Sequence, residues 1–391
     1  MPAPRLRFHL TGRGCAVLVA AVLLPVIALS LDGSLRHLAA LLPALLFAYA
    51  FFSLLAVACT LQSRASLSET RVLRGEPVTL KAFVSYRSVL PAGDLTVLLL
   101  LPGSTLQQTV PARAFREKPF EQQVLAAHVG AFPVGIGQIT VRDLFGLFTL
   151  TRAGMETQLL LSLPRPFDIE KPTFTAGEEG RSVLSRTTED YTSPEDTRAY
   201  IPGDAMKRIH WKLSSRRREL LVRRFELPAP PDTLILPDCS LPLGGEDQPE
   251  GVLRLRDAIC ETAVAAASLQ MGDQSPVRVP VHGGQATEFA SDNKASILLL
   301  QEMLACQPFD TRDDFALQLN VELRRMRRTG AVIIITTRLD ARIVEAVSAI
   351  RRMGPAVRLY LCTFTPEDPS FAGAVARLQH HLVEVCYVTP V

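Results

Sequence analysis

Between Arg198 and Arg224 the chain carries nine Lys or Arg residues against two acids, Asp204 and Glu219. A run of this kind holds carboxylates, phosphates or an acidic protein face, so its chemistry is anion recognition rather than bond making. Its members include Arg198, Lys207, Arg208, Lys212, Arg216, Arg217, Arg218 and Arg223. His210 stands alone among these cations and reads as structural. Bond-making motifs are missing elsewhere: there is no Walker A loop, no H-E-x-x-H, no G-x-S-x-G and no carboxylate pair defined by spacing. The seven cysteines form no C-x-x-C pair and no Cys/His cluster at zinc spacing. Cys15 and Cys59 fall in apolar segments, and the other five read as ordinary buried thiols of a reducing compartment. The chain is therefore expected to be neither an enzyme nor a cofactor protein.

Three destinations are open to the basic run. It can clasp the upstream acids Glu178, Glu179, Glu189, Asp190, Glu195 and Asp196, it can form a protein-docking face, or it can meet acidic lipid headgroups or nucleic acid. A basic patch beside an acidic leaflet gains about 1 kcal/mol per Lys or Arg. Nucleic acid is disfavoured by a net charge of only +3 and by the lack of interleaved aromatics, the single tryptophan, Trp211, being expected to pack.

The elements that must position these residues follow from local pattern. Pro202-Gly203 signals a turn, and Asp204 is a good N-cap for a helix over residues 205–217. Ala205, Ile209 and Leu213 then share the face expected to dock on a core. LLVRRFEL, after it, reads as a strand. From about Arg64 to Leu163 the chain shows short alternating runs: Val78, Leu80, Ala82 and Val84, then Leu95, Val97, Leu99 and Leu101, then Val134, Ile136, Ile139 and Val141. These predict an antiparallel β-sandwich resembling an immunoglobulin-like fold without its disulfide. Gly135 and Gly137 mark a bulge or a close backbone approach; their G-I-G is no dinucleotide fingerprint, lacking a third glycine and a following helix. From about Pro231, strands and helices alternate to the end, with AVIIITTR as a buried strand, which predicts a mostly parallel α/β sheet covered on both faces.

The N-terminal segment sets location. Gly14–Leu31 and Leu38–Leu61 are free of charge, 18 and 24 residues long, and joined only by DGSLRH. At about 1.5 Å per residue they reach roughly 27 and 36 Å against a hydrocarbon core of about 30 Å, so a two-helix transmembrane hairpin is expected. Pro25 and Pro43 are tolerable there. A cleaved signal peptide is the alternative for the first segment. Arg5, Arg7 and Arg13 precede the hairpin and Arg64, Arg71 and Arg74 follow it, with Arg36 alone between, so both ends read as cytoplasmic.

The basic run also carries a resemblance. Arg198, Tyr200, Gly203, Asp204, Arg208, Ile209, Trp211, Lys212, Ser214, Arg216, Val222, Arg223, Phe225 and Glu226 are similar to the signature of the domain-of-unknown-function 58 family, with Ser215 where Ala is usual. Upstream, Gly130, Gly135, Asp143, Phe145, Gly146, Leu147 and Phe148 resemble a second family stretch, with Leu144 where Pro is usual. The resemblance implies a membrane anchor, a strand-rich domain and a von Willebrand factor A-like domain. It further implies a MoxR-type AAA+ ATPase as partner, an unknown client protein, and a bacterial inner-membrane location. A-like domains often hold a divalent metal on an Asp-x-Ser-x-Ser loop; here Asp238 and Ser240 are followed by Pro242. Thr336-Thr337-Arg338 stands where Ser-Asp is usual, with Asp340 as a substitute and Arg338 opposing a cation, so no metal is expected. The expected organisation is a tail and hairpin (1–63), a β-sandwich (64–170), the basic signature segment (171–230) and the α/β domain (231–391). Its function is expected to be that of a membrane-tethered adaptor, with anion binding through the basic segment as the alternative.

Overall fold

The computed structural model describes residues 5–29, 34–88, 90–111, 118–153, 156–170, 196–201, 206, 209–224, 231–240, 249–273, 275–282, 287–309, 314–326 and 329–390. It divides into two compact units, Met1–Pro164 and Arg165–Val391.

The first unit opens with a strand that the sequence reading treats as a tail. In β1 (Arg5–Leu10) Leu6, Phe8 and Leu10 alternate with Arg5, Arg7 and His9, the period of a half-buried strand. Helices α1 (Gly12–Leu29) and α2 (Ser34–Thr60) follow and pack along each other, with Pro25 and Pro43 inside them. Among the described residues one helix, Leu41–Thr60, is long and apolar enough to cross a membrane; the apolar stretch of α1, Gly12–Ile27, is shorter.

Nine more strands form the two sheets: β2 (Gln62–Leu67), β3 (Arg71–Leu73), β4 (Pro77–Ser85), β5 (Asp94–Leu101), β6 (Ser104–Pro111), β7 (Lys118–Leu125), β8 (Gly130–Arg142), β9 (Phe148–Ala153) and β10 (Thr157–Leu163), with β1 completing the set. β2, β4 and β7 make a three-stranded sheet, and the others make one of seven strands. Pairing is antiparallel except between β3 and β10. β1 lies at the edge against β9, from Arg5 opposite Ala153 to Leu10 opposite Phe148. The alternating residues fall as expected: Val78, Leu80, Ala82, Val84, Val97, Leu99, Ile136 and Ile139 share one buried cluster with Ala50, Leu54 and Val57 of α2. Both glycine expectations are met. The β5–β8 register shifts so that Gly137 is the extra residue, and a Cβ on Gly137 would lie 2.8 Å from Leu100. Gly135, at φ +144°, brings its backbone so close to Glu156 that a Cβ would lie 2.5 Å from the carbonyl oxygen.

The second unit carries a small antiparallel pair, β11 (Asp196–Ala199) and β12 (Leu221–Arg224), flanking helix α3 (Trp211–Arg217). Then come β13 (Asp232–Pro237), α4 (Pro249–Gly272), β14 (Val277–Val281), β15 (Thr287–Ser291), α5 (Ile297–Cys306) and α6 (Phe315–Arg325). The chain ends with β16 (Thr329–Thr336), α7 (Ala341–Arg352), β17 (Ala356–Cys362), α8 (Pro369–His380) and β18 (Glu384–Val388). The sheet order is β15-β14-β13-β16-β17-β18, parallel throughout except for β15. β15, four of whose five residues are polar or alanine with only Phe289 buried, is the strand of this sheet that the sequence pattern hides. Val332 and Ile334 point into the cluster shared with α6, α7 and α8, while Ile333 and Ile335 are buried on the opposite side, so the continuous apolar run reflects cover on both faces.

Two ionic groups brace this unit. Arg358, buried on β17, donates from Nε to Glu384 at 2.7 Å, and from Nη1 to the Tyr360 hydroxyl at 2.9 Å and to the Glu170 carbonyl at 2.7 Å. Residues after Pro164 are thus tied to the second unit, as is the Arg165 N–H on Glu261 at 3.2 Å. Glu322 of α6, fully buried, meets Arg325 at 2.7 Å, His282 at 3.3 Å and Arg278 at 3.4 Å. Burial pushes its carboxyl up, but hydrogen bonds from His282 and Arg325 and the charges of Arg325 and Arg278 outweigh this and hold it below the usual carboxylate range.

Candidate functional site: a basic signature face and a self-filled switch point

The signature segment is built on β12. β11 pairs with one edge of it, Arg198 opposite Val222, and the Tyr200 N–H extends that edge by donating to Leu220 O at 2.8 Å. The other edge takes Ile209, which bridges to Val222, and His210, whose N–H donates to Leu221 O at 2.8 Å. Ile209, Leu221 and Val222 are buried together. The expected helix over 205–217 is therefore shorter, starting at Trp211, because Ile209 and His210 are drawn into strand pairing. Its cap is the His210 side chain, whose Nδ1 accepts from Leu213 N at 3.3 Å. Ser214 faces inward, its Oγ accepting from Leu221 N at 2.9 Å, and Arg218 closes the helix at φ 57° in the left-handed region.

This leaves an outward face of mixed character. Trp211 is 61% exposed and Met206 70% exposed, and Ile201 and Leu220 are exposed as well. The expectation that Trp211 packs is thus overturned: the helix sits on strand β12 through Ser214, and position 211, at its first turn, points away. Lys212, Arg216, Arg217 and Arg218 are all exposed, and none has an ion-pair partner among the described residues. Gly203, Asp204, Lys207, Arg208, Phe225, Glu226 and the acids from Glu178 to Glu195 lie outside the described residues; Arg198, Arg223 and Asp196 are described in their backbone only.

The second cluster lies where the large sheet reverses. Counted from β13, the strand order is 3-2-1-4-5-6, so the connections leave in opposite directions from β13 and β16, and ligands of such sheets bind outside the carboxyl ends at that point. Asp238 and Ser240 follow β13, and Thr336 ends β16. Asp238 is 2% exposed. Its Oδ1 accepts from the Ser240 N–H at 3.1 Å and from the Ser240 hydroxyl, and its Oδ2 accepts from Thr336 Oγ1 at 2.8 Å. Arg338 completes the group: Nε lies 3.4 Å from Asp238 Oδ2, and Nη2 donates to Ser240 Oγ. The guanidinium thus takes the oxygens a divalent ion would need, and these residues do not fit a metal. Asp340 does not join them, since its carboxylate caps α7 by accepting from Ile343 N at 2.8 Å. Among the described residues no three His, Cys, Asp or Glu come together as metal ligands.

The neighbouring thiols are inert. Burial, with the Asp238 charge, pushes Cys239 far up, and burial does the same to Cys260; Cys362 is pushed up by burial to about 12. Two of the five thiols expected to be buried are not: Cys386 is half-buried on the edge strand β18, and Cys306 is exposed at the end of α5.

Comparison with known proteins bears on both clusters. Residues 196–359 match the model of the family described as Protein of unknown function DUF58. These residues are a DUF58 region. It holds the whole described signature together with Asp238, Ser240, Thr336 and Arg338. No curated protein matches the chain. Among solved structures, the sporulation control protein Spo0M from Bacillus subtilis is 10% identical, with a TM-score of 0.17, covering 36% of this chain and 58% of its own. Cwp6 from Clostridium difficile is 11% identical at a TM-score of 0.14, covering 84% of this chain and 37% of its own. A cycloisomaltooligosaccharide glucanotransferase from Paenibacillus sp. is 10% identical at 0.18, covering 76% and 44%. The chain spans less than two thirds of each, and similarity at these scores carries no argument.

Proposed function

We propose that this chain is a membrane-tethered, chaperone-like adaptor whose DUF58 region docks a MoxR-type AAA+ ATPase during assembly or maturation of a larger complex. The observation that carries the reading is the joint exposure of Trp211, Met206 and Ile201 beside Lys212 and Arg216–Arg218. Exposed tryptophan, methionine and arginine are the residues enriched at protein interfaces, and an acidic, partly apolar partner face is their complement. We read the six-stranded unit as von Willebrand factor A-like, supported by its strand order, its antiparallel edge strand and the residues gathered at the switch point. We assign α1 and α2 to a hairpin in a bacterial inner membrane with both units cytoplasmic, on the excess of Arg outside the hairpin over Arg36 within it. No bond-making step and no cofactor enters the proposal.

The test is the triple substitution of Arg216, Arg217 and Arg218 by Ala. The three side chains are exposed, so melting should shift by less than about 0.5 kcal/mol equivalent. Capture of an ATPase from native membranes should be lost. A large fall in melting temperature would instead mean an internal clasp, and retained ATPase capture with lost binding to acidic vesicles would move the segment to lipid headgroups.

A further inference from the structure

The apolar helices are gripped by the first unit before they have run their length. A Cβ on Gly14 of α1 would lie 2.3 Å from the Leu147 carbonyl oxygen, and Thr11 Oγ1 donates to Gly146 O at 2.7 Å. On α2, the Phe47 ring lies 4.8 Å from that of Phe148, Tyr49 meets Phe145 edge-on at 6.1 Å, and Ser53 donates to Pro91 O at 2.8 Å. Val17 and Leu46 are the last residues toward the far end that pack on the sheet core. Beyond them remain Leu18–Leu29 and Ser34–Leu45, about 18 Å each at about 1.5 Å per residue. The hydrocarbon layer is about 30 Å thick. Asp32 stands between the two helices and Arg36 in the first turn of α2, and such charges are strongly disfavoured at mid-bilayer. The far end must reach water, so about 12 Å of the layer falls beside the gripped part of the helices.

The flank of the unit at that level is apolar on its outside. Leu144 is 54% exposed and Phe145 42% exposed at the tip of the β8–β9 turn. The turn is held rigidly, since buried Asp143 accepts from Phe145 N at 2.9 Å and from Phe148 N at 2.6 Å. On the β1 edge, Leu6 and Phe8 are exposed on the side that faces α2, where the Phe8 ring lies 6.3 Å from Phe51. Arg7 and His9 lie on the other side of β1, both exposed, as cations at a headgroup layer would be. We infer that the Asp143–Phe148 turn and the β1 edge form a membrane wedge that seats this flank in the lipid interface, its tip about 5–10 Å into the headgroup/acyl boundary. The inference rests on the proposed membrane anchorage.

The experiment uses the full chain in phosphatidylcholine–phosphatidylglycerol vesicles carrying dibrominated phosphatidylcholine, in a Trp211→Phe background. One protein carries Phe145→Trp and a second Leu144→Trp, so that failure of one to fold leaves the other; a third carries Val22→Trp, on the exposed side of α1. The Val22→Trp protein should be quenched by deep bromines, and the turn proteins by at least about twofold, most strongly by the shallowest label. Quenching of Val22→Trp with neither turn tryptophan quenched would overturn the wedge and leave the anchorage standing. An unquenched Val22→Trp protein would overturn both.

Discussion

Replacing Arg338 by Ala isolates what the guanidinium does at the switch point. Asp238 would stay buried and keep the donors of Ser240 and Thr336, but it would lose its one described cation. Removing one partner of a fully buried pair costs about 3–5 kcal/mol. Arg338 is 22% exposed and its Nε contact is long at 3.4 Å, so water can replace part of the interaction and about 2–3 kcal/mol is expected. For a unit of this size each kcal/mol moves the midpoint by about 2–4 °C, so the full chain in detergent should melt about 5–10 °C lower, followed by circular dichroism. Adding Asp238→Asn should recover much of the loss, because a neutral amide needs no counter-charge. The vacated position leaves one carboxylate and two hydroxyls, a set expected to hold Mg²⁺ at about millimolar Kd. Mg²⁺ at ten times that Kd would return about 1.4 kcal/mol. The wild-type chain should be indifferent to both Mg²⁺ and EDTA. A wild-type midpoint that rises with Mg²⁺ and falls with EDTA, or an Arg338→Ala protein that melts like wild type, would refute the argument.

Other outcomes follow from the same geometry. The Glu322 carboxyl is held below its unfolded value of about 4.3, so its contribution is full above that pH and is lost as pH falls through the folded value; urea midpoints should drop below about pH 4.5, and less steeply in Glu322→Gln. Gly14→Val sets a side chain against the Leu147 carbonyl, so the first unit should become protease-sensitive while the second keeps its resistance. Alkaline phosphatase fused after Val391 should be inactive if both units are cytoplasmic, and periplasmic activity there would reverse the assigned orientation.

Legibility followed periodicity. Val78 to Val84 and Ile333 to Ile335 declared their strands because an apolar side chain at every second or every position has one economical burial. Gly135 and Gly137 declared a close approach and a bulge because a Cβ has no room at either. β15 was hidden because an edge strand needs only Phe289 inside. β1 was hidden because its arginines read as a topogenic tail, although the same residues alternate with Leu6, Phe8 and Leu10. Its pairing with β9 adds something that the charge count lacked. β1, before α1, and β9, after α2, lie side by side in one sheet, so any crossing of a membrane by this segment must be even in number.

At the sites, residue type was legible and direction was not. Arg338 could be read as hostile to a cation near Asp238, but only the return of β16 beside β13 brings its guanidinium onto Ser240 and Asp238. The signature helix shows the same limit in a different way. A helix from Ala205 to Arg217 would put Ala205, Ile209 and Leu213 on its buried stripe and leave Trp211 to find a neighbour. Seven residues, however, make too short a helix to choose its own face, since nucleation is costly and stability must come from what it packs on. β12 makes the choice: it draws Ile209 and His210 into strand pairing, takes Ser214 as the contact, and turns Trp211 outward. An aromatic that looked like core from its type is thereby delivered to the same surface as Arg216–Arg218, and that placement, rather than the charge run alone, is what favours a protein partner over an internal clasp.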